Sequence, residues 1–245
     1  RRMSAVRLRH AVVTGASRGI GAAIADALET EGFRVSRLAR SGAATIRCDV
    51  AEADSVTTAF AEARARHGPI HVLINNAGQT VSAPFAKASL DSLRRMLDVN
   101  LVGAWQCTQA ALPDMLDAGW GRIINVASTA GIAGYPYTAA YCASKHALVG
   151  LTRSLAKELA RRHVTVNALC PGFTDTDMVG AAVTRLAAAS GRSEADARMT
   201  LAAFNPQHRL IRPEEVASAA VWLCRADAEG MTGQTLSISG GEIPS

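Results

Sequence analysis

Short apolar runs of strand length alternate with alanine-rich stretches of helical period along this chain, and that alternation predicts an α/β domain. Residues 11–14, Ala-Val-Val-Thr, read as a buried strand, and 22–30 as a helix of high propensity. Residues 33–38 and 45–50 follow as second and third strands. A helix from about 54 to 66 carries Val56, Ala59, Phe60 and Ala63 at helical spacing, and Gly68-Pro69 ends it. Residues 71–74 form a fourth strand, and 90–99 and 101–118 two helical stretches, the second continuing despite Pro113. The apolar run 122–127 is a strand, a helix opens near Tyr141, and an amphipathic run covers 147–160. Residues 164–169 are a sixth strand and 233–238 the last. Between them Arg212-Pro213-Glu214-Glu215-Val216 starts a helix, with proline near its first position and acids in its first turn. The expected architecture is one domain over residues 1–245, a doubly wound parallel sheet of about seven strands with helices on both faces.

The first strand runs straight into Gly15-Ala16-Ser17-Arg18-Gly19-Ile20-Gly21 and then a helix. Strand, glycine turn and helix in that order suit a dinucleotide. Gly15 permits the tight turn, Gly19 lets the backbone approach a pyrophosphate, Gly21 lets helix and strand pack, and the helix N-terminus faces the negative charge. The spacing is G-x-x-x-G-x-G, so the shorter G-x-G-x-x-G fingerprint is absent. Gly15, Ser17, Arg18, Gly19, Ile20 and Gly21 are therefore assigned to the cofactor. The second strand ends in Arg37-Leu38-Ala39-Arg40-Ser41, where an NAD-binding unit carries an acid for the ribose 2′-hydroxyl. A guanidinium fork at Arg40, with Arg18 as a second contact, suits a 2′-phosphate instead, which favours NADP(H) over NAD(H). Asp49 and Val50, at the end of the third strand, are placed near the adenine. Asp49 either accepts from its amino group or caps the helix that follows near Ser55. Asn76, Ala77 and Gly78 follow the fourth strand where ligands bind in open α/β sheets, although an ordinary Asn-Gly turn has the same composition.

Candidate chemistry concentrates in residues 128–145, STAGIAGYPYTAAYCASK. Tyr141 and Lys145 stand four apart and share one helical face. An ammonium beside a phenol favours the phenolate and lowers its pKa from about 10, which makes Tyr141 usable as a general acid or base. Ser128, at the end of a strand, can hydrogen-bond a substrate carbonyl. An incidental Tyr and Lys on a surface helix would show the same spacing, but lysine is scarce here: Lys87, Lys145 and Lys157 are the whole complement.

Composition narrows the compartment and the partners. Hydrophobic residues make up 49% and charged residues 19%, which suits a packed core. No apolar run approaches the ~18 residues that span a bilayer. Arg1 and Arg2 ahead of Met3 read as added residues, and the start has no secretory apolar stretch. Cys48, Cys107, Cys142, Cys170 and Cys224 are scattered without a C-x-x-C pair, so neither a disulfide framework nor a metal site is expected, and the cytoplasm is the expected compartment. The net charge of +5 favours anionic ligands, while dispersed arginines and 4% aromatics give no nucleic-acid face.

Thr14-Gly15-x-x-x-Gly19-Ile20-Gly21, Asn75-Asn76-Ala77-Gly78, and Ser128 with Tyr141-x-x-x-Lys145, in that order, resemble the short-chain dehydrogenase/reductase family over nearly the whole chain. The resemblance implies a Rossmann-type fold and reversible hydride transfer between NADP(H) and a carbonyl or secondary alcohol. It implies a tetrad of Asn100, Ser128, Tyr141 and Lys145, in which the Asn100 backbone holds a water against the lysine. Tyr141 would exchange the proton, Lys145 would lower its pKa and bond the nicotinamide ribose, and Ser128 would polarise the carbonyl. Cys170-Pro171-Gly172-Phe173-Thr174-Asp175-Thr176 resembles the family's segment beside the nicotinamide, with Pro171, Gly172, Thr174 and Thr176 at the cofactor. Residues 177–209 correspond to the variable substrate lid, and the helices around 101–118 and after Tyr141 to a homodimer contact, often within a homotetramer. The pattern is most similar to reductases of 3-oxoacyl thioesters of acyl-carrier protein or CoA. Another secondary alcohol (cyclic, hydroxyacyl-CoA or polyketide-like) ranks next, and a non-catalytic NADP(H)-binding sensor after it.

Overall fold

The computed structural model describes residues 9–42 and 45–243, so the reading of Arg1 and Arg2 lies outside the described residues. Seven parallel strands form one sheet: β1 (His10–Thr14), β2 (Arg34–Ala39), β3 (Ile46–Arg47), β4 (Ile70–Asn75), β5 (Gly121–Val126), β6 (Val164–Pro171) and β7 (Thr235–Ile238). Their order is β3-β2-β1-β4-β5-β6-β7. The order reverses between β1 and β4, which opens a crevice at the carboxyl ends of these two strands.

Strand residues point alternately to the two faces, and each face has its own helices. Val12, Leu73 and Ile123 pack with Phe60 of α2 (Ala53–His67), Cys107 and Met115 of α4 (Gly103–Ala118), and Ala156 and Leu159 of α5 (Ala139–Leu159). Ala11, Val13, Ile74 and Ile124 pack with Ile24 and Leu28 of α1 (Gly19–Thr30) and with Val216 and Ala220 of α8 (Pro213–Cys224). Fully burying a side chain such as Leu28 or Ile123 contributes roughly 1.5–3 kcal/mol, so these two layers hold the sheet in place under the site.

Two elements depart from the sequence expectation, and one region is added to it. The third strand is only two residues long, because Asp49 turns the chain away: its Oδ1 accepts the Ala51 N–H at 3.1 Å, and its own N–H reaches Ser55 Oγ at 2.9 Å. Asp49 therefore closes a turn and does not cap α2, whose cap position is Glu52. The helical stretch from α3 (Leu90–Leu97) into α4 is interrupted by a π-helical turn at Asp98–Val102, centred on Asn100. Residues 177–209 hold two helices, α6 (Asp177–Ser190) and α7 (Glu194–Ala202), which share a small apolar core of Val183, Ala187 and Ala197.

Candidate active site

The glycine turn is built for close approach. Gly15 and Gly19 have φ of +64° and +57°, in the left-handed region. A Cβ at Gly21 would lie 2.4 Å from both the Gly15 carbonyl oxygen and Asn76 Nδ2. Thr14 ties this turn to β4: its Oγ1 accepts the N–H groups of Asn76 and Ala77, each at 3.0 Å. Asn76 Nδ2 returns bonds to the carbonyls of Thr14 and Gly15 at 3.0 and 3.2 Å. The Asn76 amide thus braces the turn. Thr14 opens the motif with no role legible from the sequence, because the partners of its hydroxyl are more than sixty residues away.

Across the crevice, Thr176 closes on the turn, and a Cβ on Gly19 would come within 3.2 Å of Thr176 Cγ2. Thr174 is buried, its Oγ1 donating to the Gly172 carbonyl at 3.0 Å, so only its backbone is left for a ligand. Val50 is likewise buried, packed against Gly103, where a Cβ would meet Val50 Cγ2 at 2.7 Å. Arg18 lies 3.6 Å from Asp177, both side chains about three-quarters exposed. Arg37 is held by Asp26 and Glu29 at 2.6 and 2.8 Å, which leaves Arg40 as the exposed cation at the end of β2. Ser17 abuts Gly42, so the glycine turn and the loop after β2 are neighbours. The backbone cradle, the α1 N-terminus without an acid in its first turn, and these cations fit a dinucleotide.

The carboxyl end of β5 meets the first two turns of α5. Ser128 Oγ accepts the Ala130 N–H at 3.1 Å, and the Ser128 and Tyr141 hydroxyls are hydrogen-bonded. Lys145 is 4% exposed, and its Nζ donates to the Val126 carbonyl at 2.8 Å, 5.8 Å from the centre of the Tyr141 ring. Burial pushes this ammonium down to about 8. Burial likewise pushes the Tyr141 phenol up, opposed by the bond with Ser128. The lysine was expected to lower the tyrosine. Burial acts on the phenol in the opposite direction.

Asn100 is buried behind Gly78. Its Oδ1 accepts the Gln79 N–H at 2.9 Å, and its Nδ2 donates to the Gln79 carbonyl at 3.0 Å and to Ser144 Oγ at 2.9 Å. Ser144 in turn donates to the Tyr141 carbonyl at 2.8 Å, which joins the π-turn to the start of α5. A Cβ on Gly78 would fall 3.2 Å from Asn100 Oδ1 and 3.6 Å from Lys145 Nζ, so the two polar residues approach each other only across a glycine. A π-turn frees backbone groups from the helical ladder, as the expected carbonyl role requires. Ser144 escaped the sequence reading, although it lies between Tyr141 and Lys145.

A cleft of about 760 Å³ opens at these carboxyl ends and is lined by Ser128, Tyr141, Lys145, Asn76, Gly78 and the turn from Pro171 to Thr176. Ile20 also reaches it, whereas Arg18, Arg40 and Asp49 lie outside. A second hollow of about 810 Å³ beside α7 holds none of the candidate residues, and its Arg198 and Arg209 are paired with Asp175 and Glu215.

The sequence profile of the short chain dehydrogenase family matches residues 9–187. The chain belongs to that family. It is 35% identical over 247 residues to the acetoacetyl-CoA reductase of Shinella zoogloeoides, covering 96% of this chain and 98% of that protein. It is 37% identical over 259 residues to the 3-oxoacyl-[acyl-carrier-protein] reductase of Synechocystis sp., covering 98% and 99%. Among solved structures, an actinorhodin polyketide ketoreductase with NADPH superposes with a TM-score of 0.92 at 34% identity, over 96% of this chain and 97% of that one. The ligand-free aldohexose dehydrogenase of Thermoplasma acidophilum gives 0.89 at 32%, over 98% and 97%. This short-chain dehydrogenase is an oxidoreductase that uses a nicotinamide cofactor and acts between a CH–OH and a keto group.

Proposed function

We propose that the enzyme reduces 3-oxoacyl thioesters of CoA or acyl-carrier protein with NADPH, using Asn100, Ser128, Tyr141 and Lys145. The observation that carries this reading is the meeting of Ser128, Tyr141 and Lys145 in one cleft with the Pro171–Gly172 turn. The names of the thioester reductases among its relatives support the substrate class. NADP(H) is supported by the end of β2, where Arg37 is already paired and Arg40 is exposed, and by the NADPH in the similar ketoreductase.

In the reducing direction Ser128 holds and polarises the carbonyl oxygen, an oxyanion-type role. Tyr141, kept protonated by burial, gives its proton to the oxygen as negative charge develops there. The cofactor, when bound, supplies the hydride. Lys145 holds the ribose and keeps positive charge beside Tyr141, and Asn100 fixes the π-turn whose backbone supports proton resupply. Gly15, Ser17, Arg18, Gly19, Ile20 and Gly21 hold the pyrophosphate and 2′-phosphate end with Arg40. Asp49 and Val50 border the adenine. Asn76, Ala77, Gly78, Pro171, Gly172, Thr174 and Thr176 form the nicotinamide side.

The whole chain acts as one catalytic domain, with α6 and α7 as the substrate lid over residues 177–209. The exposed Trp105 and Val102 near the start of α4 support a homodimer or homotetramer built on α4 and α5. Free cysteines support a cytoplasmic setting, and no described helix is long and apolar enough to cross a membrane. The experiment is a turnover panel with NADPH: acetoacetyl-CoA beside simple ketones, repeated with NADH. Thioester turnover that exceeds ketone turnover, and NADPH use that exceeds NADH use, are expected. Turnover of free ketones alone would move the substrate elsewhere.

A further inference from the structure

Three aromatic rings from three distant segments meet on one wall of the cleft. Tyr135 and Phe173 contact edge-on at 6.3 Å between ring centres, Tyr135 and Phe204 at 5.8 Å, and Phe173 and Phe204 at 5.2 Å. All three line the cleft that holds Ser128 and Tyr141. Rings at such separations attract by roughly 0.5–1.5 kcal/mol beyond their burial, too little to fix three separate loops by themselves.

The fixing group comes from the segment after β7. The Tyr135 hydroxyl donates to the Glu242 carboxylate. Glu242 Oε2 sits where a Cβ on Gly172 would be only 2.8 Å away, so the carboxylate also seats against the turn that carries Phe173. The same segment is threaded past Phe204: a Cβ on Gly240 would overlap Asn205 Oδ1 at 2.0 Å, and Asn205 braces the loop by bonding the Arg209 carbonyl at 2.9 Å and the Gln207 N–H at 2.8 Å. Glu242 Oε2 is buried and has no hydrogen-bond partner among the described residues. Leaving such an acceptor unsatisfied costs roughly 1–3 kcal/mol, so a carboxylate is a poor choice for a residue that only fills space.

On the reading above the nicotinamide takes the side of the cleft formed by Asn76, Gly78 and the Pro171–Gly172 turn, while the three rings line the same cleft together with Ser128 and Tyr141, where the acyl group of a substrate must lie. Apolar ring surface there suits a hydrocarbon chain, of which a four-carbon 3-oxoacyl group offers little. We propose that Glu242 is a positioning residue that, through Tyr135, holds the aromatic wall in the arrangement that grips an extended apolar acyl chain, and so sets a preference for long-chain over four-carbon 3-oxoacyl thioesters. This rests on the 3-oxoacyl reading above.

The test compares kcat and KM for 3-oxododecanoyl-CoA and acetoacetyl-CoA in the wild type, Glu242→Ala, Glu242→Gln, Tyr135→Phe and the Ala/Phe double variant, with thermal midpoints for each. The wild type favours the long chain. In Glu242→Ala and Tyr135→Phe the long-to-short ratio of kcat/KM falls about tenfold, carried by KM. Glu242→Gln, whose amide oxygen accepts the same bond, stays within about threefold. The double variant is no worse than either single one, because both break one link. An equal loss on both substrates, or failure of the Gln variant to rescue, reduces Glu242 to a structural residue and overturns the inference. If Glu242→Ala does not fold, Tyr135→Phe and Glu242→Gln decide on the same ratio. A wild type that turns over neither thioester removes the 3-oxoacyl reading and this inference with it. A wild type active on both, with an unchanged ratio in the variants, removes only the inference.

Discussion

Replacing Arg40 by alanine separates the two forms of the cofactor. Arg40 is exposed at the end of β2 and makes no ion pair among the described residues, so binding a phosphate there breaks no existing pair. A charge-assisted hydrogen bond contributes about 1.5–3 kcal/mol. The preference for NADPH over NADH, measured as the ratio of kcat/KM values, should therefore fall about 10- to 150-fold in Arg40→Ala. Arg18 differs, because it lies 3.6 Å from Asp177 with both side chains about three-quarters exposed. Such a pair is worth at most ~1 kcal/mol, which is deducted when Arg18 turns to a phosphate. Arg18→Ala should lose the smaller amount, about two- to thirtyfold, and Asp177→Asn should raise the preference slightly. Both arginines are exposed, so added salt should shrink the wild-type preference. The assay is steady-state turnover with each cofactor at two ionic strengths. A ratio in Arg40→Ala within twofold of the wild type would refute the phosphate site.

Other outcomes follow from the same geometry. His10 is fully buried, its ring bridging the Gly68 carbonyl and Ser36 Oγ, each at 2.9 Å, and burial pushes it down to about 4. The unfolded chain takes up this proton near 6.5 and the folded one near 4, so stability is lost as pH falls through that window, by ~3 kcal/mol in all. Urea unfolding at pH 7 and 4.5 checks this, and His10→Gln should flatten the slope. In the free enzyme Lys145 titrates at about 8, so kcat/KM should fall above that pH; a profile flat to pH 10 would count against the charged lysine. Because burying that ammonium is unfavourable at neutral pH, Lys145→Met should be inactive yet more heat-stable, by ~1–3 kcal/mol. Gly21→Ala drives a methyl onto the Gly15 carbonyl and Asn76, and should lose cofactor binding along with ~1–3 kcal/mol of stability by calorimetry.

Local pattern carried much of this architecture. The run from β1 through the glycine turn into α1 is legible because apolar period, glycine placement and helix propensity agree over twenty consecutive residues. Tyr141 and Lys145 were legible for the same reason, since one helical turn sets their relation. What escaped depends on partners remote in sequence. The third strand is cut short by Asp49 meeting Ser55, a choice that strand propensity does not encode. Asn100 falls between two helical stretches in the sequence, and its bonds to Gln79 and Ser144, which give a reason for the π-turn, lie 21 and 44 residues away. Tyr135 and Glu242 are 107 residues apart, so nothing local in the sequence ties the segment after β7 to the site. The direction of the Tyr141 shift was also hidden, because it is set first by burial, which spacing does not reveal.

The most direct test of the account is Tyr141→Phe assayed beside the wild type for NADPH oxidation with acetoacetyl-CoA. The wild type should turn over and kcat of the variant should fall by about 10²–10⁴, with cofactor affinity and thermal midpoint nearly unchanged, since only the proton donor is removed. A variant that keeps kcat within tenfold of the wild type would contradict the proposal that Tyr141 supplies the proton.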